Sequence, residues 1–200
     1  MKNILTTFMV LFLPCISFGQ KIIPGDYGSG LKLSYDSTDN MLTGYFESYS
    51  GIDEKTNKPQ FSCIFYIEGK AAGQKFGIRT YYPADKSADL IEGEIEIVKD
   101  KTVTLKLPKE HGGCWNVQHF ADNPVAFELE KQADWFQIRY IDIDKAFFYK
   151  DKSVDTKMKS YLVKGDFVCI DKVEDEWARC TYYGEKTIKG WIKTEVLNKL

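Results

Sequence analysis

The chain has 200 residues, with 27 Lys and Arg against 29 Asp and Glu and a formal net charge of −2. Acidic and basic residues are interspersed, which argues against nucleic acid as a partner, because a phosphate backbone is held by a clustered excess of Lys and Arg. Beyond the first twenty residues no segment is apolar for long enough to span a bilayer, so no membrane span is expected.

Met1-Lys2-Asn3 sets one positive charge ahead of an apolar stretch over residues 4–13, and the small residues Ser17 and Gly19 follow. This is the pattern of a secretory signal peptide over residues 1–19, and it predicts a secreted protein, periplasmic or extracellular after cleavage. Pro14 stands before Cys15 where lipid attachment needs a small residue, which argues against a lipoprotein. Loss of Lys2 takes the formal charge from −2 to −3.

Short runs rich in β-branched and aromatic residues follow over 31–35, 41–47, 61–68, 75–82, 91–98, 103–107, 115–120, 125–130 and 135–140. Gly, Asn, Asp and Pro punctuate them and no helical period is sustained, so residues 20–141 read as an antiparallel β domain. With eight or nine strands, a closed barrel or a two-layer sandwich would remove the exposed edges, and the barrel is favoured. In the run 91–97, Ile91, Ile95 and Ile97 share one face and Glu92, Glu94 and Glu96 the other; the glutamates read as a solvated face. Residues 141–144 are the expected boundary, and their lack of flexible composition predicts a fixed relation between two units.

Cys63, Cys114, Cys169 and Cys180 remain after the leader, an even number in an oxidising compartment, and allow three pairings. Cys63–Cys114 is the preferred bridge, because closing the loop between them removes about 4 kcal/mol of unfolded-chain entropy. Cys169 and Cys180 lie equally far from a turn at Glu174-Asp175 and could face each other across a hairpin, or remain as two semi-buried thiols.

Both histidines of the chain fall within residues 110–119, where His111, Cys114 and His119 form the one cluster with the look of chemistry. Cys114-Trp115 resembles the Cys-Trp of papain-like proteases. Those enzymes, however, place the cysteine at a helix start with its histidine far downstream, whereas this segment lies among strands and no histidine follows His119. On a strand, Cys114 and His119 would point to opposite faces, which opposes a metal site. The expectation is therefore a turn at Gly112-Gly113 tied down through Cys114, with no catalytic residue, metal or cofactor.

The last quarter shows a Gly165-Asp166 turn, an alternating run over 167–170, an acidic tip at Glu174-Asp175-Glu176, then Trp177-Ala178-Arg179-Cys180 and Gly190-Trp191-Ile192. With the opening strand Ala146-Phe147-Phe148-Tyr149, residues 145–200 resemble bacterial SH3 domains. The resemblance implies a small β-barrel that binds or positions a cell-wall peptide, a glycan or an envelope protein without catalysis. It also implies that Val168, Ile170 and Cys180 point inward and Cys169 outward. No Ala-Leu-Tyr-Asp-Tyr segment is present, so recognition of proline-rich helices is not carried over. Tyr149 and Tyr182 are the expected exposed ligand edge, and Trp177 and Trp191 are further candidates that also suit the ends of so small a barrel. The whole reads as an all-β, secreted, non-enzymatic binding protein. The alternative is an inhibitor of, or immunity-like protein against, lysozyme or a wall hydrolase, with residues 44–51 as the docking loop.

Overall fold

The computed structural model describes residues 21–87 and 89–200; the leader expected over residues 1–19 lies outside the described residues. Nine strands form one antiparallel sheet: β1 (Gly25–Asp26), β2 (Leu31–Asp36), β3 (Met41–Ile52), β4 (Pro59–Ala72), β5 (Lys75–Tyr81), β6 (Ile91–Lys99), β7 (Thr102–Lys106), β8 (Val125–Glu128) and β9 (Lys131–Gln132). Their order is β8-β7-β6-β5-β4-β3-β2-β1-β9, a meander in which consecutive strands from β1 to β8 are neighbours. The reversals use residues that tolerate a left-handed backbone, Asn40 at φ 55° and Gly73 at φ 74° among them.

β8 and β9 lie at opposite edges of this sheet, yet only Leu129 and Glu130 separate them. The Leu129 N–H donates to Lys101 O at 2.7 Å and the Glu130 N–H to Asp26 O at 2.9 Å. One extended segment thus pairs with β7 at its start and β1 at its end, and the sheet curls into a half-barrel around its apolar face. That face is the first core, in which Leu31, Phe46, Phe65, Phe76, Ile95 and Phe120 are buried together. Tight curvature needs missing side chains: a Cβ on Gly44 would lie 2.5 Å from Lys32 O.

The run 115–120, read from sequence as a strand, is instead a 3-10 turn over Cys114–Asn116 followed by irregular chain. Gly113 at φ 83° turns the backbone and the Cys63–Cys114 disulfide, with Cα atoms 4.4 Å apart, pins the turn to β4. Ladder pairing is lost there, and Phe120 enters the core from a loop.

The second sheet contains β10 (Gln137–Tyr140), β11 (Lys145–Tyr149), β12 (Lys157–Val163), β13 (Phe167–Glu174), β14 (Trp177–Tyr183) and β15 (Thr187–Lys193), in the order β10-β13-β14-β15-β11-β12. Its core holds Ile141, Phe148, Leu162, Val168, Ile170 and Ile192. The sequence reading ends the first unit at residue 141. In the ladder the crossover comes earlier, because β10 pairs with β13, Ile138 opposite Cys169 and Arg139 opposite Val168.

The β13–β14 hairpin reverses at Asp175-Glu176, one residue later than expected, with Asp175 at φ 51°. Ile170 lies opposite Cys180 and Lys172 opposite Arg179, so the ladder carries a bulge at Asp171. Cys180 therefore faces the second core with Ile170, while Cys169, one residue before Ile170, faces the first sheet. Both are free, and of the two alternatives weighed the facing bridge is the one that does not form.

A third core joins the sheets. Tyr45, Tyr66 and Tyr81 of the first pack against Trp135, Ile138, Tyr140, Phe167 and Cys169, with Tyr45 stacked on Phe167 at 4.4 Å and Tyr66 edge-on to Tyr140 at 5.1 Å. The edge of β10 away from β13 is buried and is satisfied chiefly by side chains, with the Asn198 N–H also donating to Tyr140 O at 3.0 Å. The Ile138 N–H donates to Thr43 Oγ1 at 2.8 Å, the Tyr66 hydroxyl donates to Ile138 O at 2.8 Å, and the Tyr140 N–H donates to Asn198 Oδ1 at 2.8 Å. Such edge groups would otherwise be buried without partners, and the bonds from Thr43 and Tyr66 fix the two sheets in one relation.

Candidate functional site

Alternation along β3 sends Phe46 into the first core and leaves Tyr45, Glu47 and Tyr49 on the outer face. Opposite them lie the Lys164-Gly165-Asp166 turn ahead of β13 and Tyr182 and Tyr183 at the end of β14, and a cavity of about 180 Å³ opens between. Gly165, at φ 93°, makes the turn, and the Val163 N–H donates to Asp166 Oδ2 at 2.8 Å to close it. Partial burial holds the Asp166 carboxyl above its ordinary range.

The Tyr49 hydroxyl donates to Glu47 Oε1. Burial, then this hydrogen bond and the Glu47 charge, push the Tyr49 hydroxyl upward; burial, then the charges of Asp166, Glu47 and Glu185, do the same to Tyr182. Both remain neutral donors. Two further cavities share walls with it. One neighbour, of about 360 Å³, shares Ile64 and Tyr82 with it and adds Asp85 and Asp89. The other, of about 190 Å³, shares Tyr183 and reaches Cys169 and Asp171. The seam is thus a groove with aromatic walls and carboxylates, suited to hold a chain with polar groups and flat faces.

The structure does not bring His111, Cys114 and His119 into one site. Cys114 is committed to its disulfide, which removes both a thiolate nucleophile and a thiolate ligand. His119 is half-exposed, 5.7 Å from Trp115 and 3.9 Å from Asp122. His111 is buried, stacked on Phe65 at 4.7 Å, with Nδ1 2.7 Å from Asp89 Oδ2 and Nε2 2.8 Å from Thr80 Oγ1. Burial lowers its pKa more than Asp89 raises it. The carboxylate, imidazole and hydroxyl are connected as in a hydrolytic triad, but Thr80 is wholly buried and its hydroxyl also reaches Ile91 O at 3.0 Å. No substrate carbonyl can approach such an oxygen, and the chain of bonds instead anchors the loop after β5, where Asp89 also accepts the Tyr82 N–H. Among the described residues no group of three or more His, Cys, Asp or Glu has the arrangement of a metal site.

The expected ligand edge is divided. Tyr149 lies 5.0 Å from Trp177 and opposite Trp191 in the ladder, at one end of the second sheet; Trp177 is buried, with Lys193 over it, and Lys152 lies over Trp191. Tyr182 lies in the seam. Residues 44–51, read as a loop, fall within β3, and the turn follows at 53–58. Sequence reading held Tyr45, Glu47 and Tyr49 only as part of the docking loop 44–51, counted Tyr183 only among the aromatics of the last unit, and passed over Tyr82 and Asp166 as site residues. The period-2 spacing of Tyr45, Glu47 and Tyr49 was a usable signal, whereas nothing local indicates that Tyr182 lies across from them. A larger depression of about 450 Å³ on the outer face of β4–β6 offers less, because its buried carboxylate, Glu68, is already paired with Arg79 at 2.6 Å and Lys86 at 3.4 Å. Of the glutamate row, Glu94 and Glu96 pair with Lys75.

The chain matches no protein-family model, no curated protein and no solved structure.

Proposed function

We propose that this chain is an extracytoplasmic, non-enzymatic binding protein, in which an N-terminal barrel and a C-terminal barrel of the bacterial SH3 kind hold a cell-envelope peptide or glycan in the seam between them. The observation that carries the reading is the seam itself: Tyr45, Glu47 and Tyr49 of the first sheet and Asp166, Tyr182 and Tyr183 of the second unit line one cavity. The rigid joint at β10 supports it, since a groove built from two units binds well only if neither has to be ordered first.

The test is retention of the purified chain on isolated peptidoglycan, comparing the native protein with Tyr49→Ala and Tyr182→Ala in the seam and Tyr149→Ala at the far end. Loss of retention in the two seam variants alone is the expected result. Retention that survives both would sink the seam reading, and loss in Tyr149→Ala alone would move the site to the Tyr149–Trp191 end.

A second reading, inhibition of lysozyme or a wall hydrolase, is favoured by one feature. Ile52, Phe61 and Trp115 are exposed at one end of the first sheet, where the disulfide ties the Trp115 turn to β4. A lysozyme assay unaffected by excess protein would remove it.

A further inference from the structure

Glu47 and Asp166 approach the same cavity from different sheets, and among the described residues neither forms an ion pair. Glu68 is neutralised by Arg79 and Lys86 and Asp171 by Arg179 and Lys189, whereas the buried Asp36 is held by neutral donors, Gln137 Nε2 and the Thr38 N–H. Lys164 also lines the cavity, but it is exposed at the rim and pairs with neither carboxylate. Asp166 keeps one oxygen on the Val163 N–H and Glu47 keeps one on the Tyr49 hydroxyl, so each carboxylate has a second oxygen for an incoming donor.

The complement of two half-enclosed carboxylates is a cation, and the donor set says which kind. Among the described residues no group of three or more His, Cys, Asp or Glu has the arrangement of a metal site, and two carboxylates alone would leave a hard divalent ion to be completed by water. An ammonium group needs only two or three acceptors at hydrogen-bond distance, and the rings of Tyr49, Tyr82 and Tyr182 add attraction for an organic cation. Further cavities share Ile64 and Tyr82, and Tyr183, with this one, which leaves room beside the cation for a chain that carries it.

We propose that the seam recognises the protonated side-chain amine of an extended peptide, with Glu47 and Asp166 as its acceptors. This rests on the seam being the binding groove. The direct test titrates the chain with the acetyl-Ala-Lys-Ala-amide peptide and with its Nε-acetylated form, following tyrosine amide and ring signals by NMR. Saturable binding of the amine form is expected, with the acetylated form about tenfold weaker, equivalent to about 1.4 kcal/mol. The Glu47→Gln/Asp166→Asn double variant should lose the same factor at an unchanged melting temperature, and added salt should weaken the native protein alone. Equal binding of the two peptides, undiminished binding by the double variant, preference for glucosamine, or no saturation at millimolar peptide would each overturn the proposal. Retention on peptidoglycan without amine dependence would refute this inference and leave the groove; amine dependence lost in the double variant, without retention, would support this inference and refute peptidoglycan as the ligand.

Discussion

Thr43→Val is the sharpest probe of the joint between the sheets. Thr43 is wholly buried; its hydroxyl oxygen accepts the Ile138 N–H at 2.8 Å and lies 2.7 Å from Ser34 Oγ. Valine keeps the shape and deletes the oxygen, which strands a buried backbone donor at about 1–3 kcal/mol and removes a second hydrogen bond worth about 1 kcal/mol. Ser34 retains Thr43 O as a partner, so it is not stranded. The expected loss is about 3 kcal/mol, or about 6–12 °C in melting temperature for a chain of this size. Urea unfolding followed by circular dichroism measures it. Tyr66→Phe removes the donor to the carbonyl of the same residue, and the double variant should depart from additivity by more than about 0.5 kcal/mol, because both bonds hold Ile138. A loss under about 0.5 kcal/mol for Thr43→Val would refute the claim that side chains of the first sheet fix β10.

Removing the disulfide in Cys63→Ala/Cys114→Ala, which spans a sequence separation of 51, should cost about 4 kcal/mol by loop closure; an unchanged urea midpoint would show that the turn is held without it. His111 should make the protein acid-sensitive. Asp89 and Glu110 raise its pKa while burial and Lys109 lower it, and burial wins, so the folded value lies below the ordinary 6.5. The unfolded chain therefore binds more protons, and stability falls as pH drops through 6.5 towards the lowered folded value. His111→Gln should be less stable than native at about pH 7.5, with the gap narrowing by about pH 5; a constant gap would contradict this. Residues 145–200 alone lack β10 and the Tyr140 partner of Asn198, so this fragment should melt without a cooperative transition, and a sharp one would show that β10 is dispensable.

Much of the fold was legible because strands announce themselves locally. Alternation in the run 91–97 places Ile95 in the core and Glu94 in water through a period that three or four residues suffice to show. The run 115–120 misled because Trp115, Val117 and Phe120 have strand composition, while the left-handed Gly113 and the bond from Cys114 to Cys63 override it. At the site, Tyr182 was legible as a candidate, but its partners were not, since the distance along the chain from Tyr49 to Tyr182 carries no local pattern.

The sequence by itself determined that the chain is all-β, where most of its turns fall, which faces of the strands are apolar, and that Cys63 and Cys114 are suited to pair. These depend on neighbours within a few residues and on loop entropy. Only the tertiary structure decided that β10 leaves the first sheet for the second, that Thr43 and Tyr66 satisfy Ile138, and that Glu47 and Asp166 line one cavity. Strand Gln137–Tyr140 is apolar on one face and pairable at both edges, so its own residues suit either sheet. What selects its place is the sum of distant contacts, aromatic packing on one side and ladder bonds on the other, which no local stretch of sequence contains.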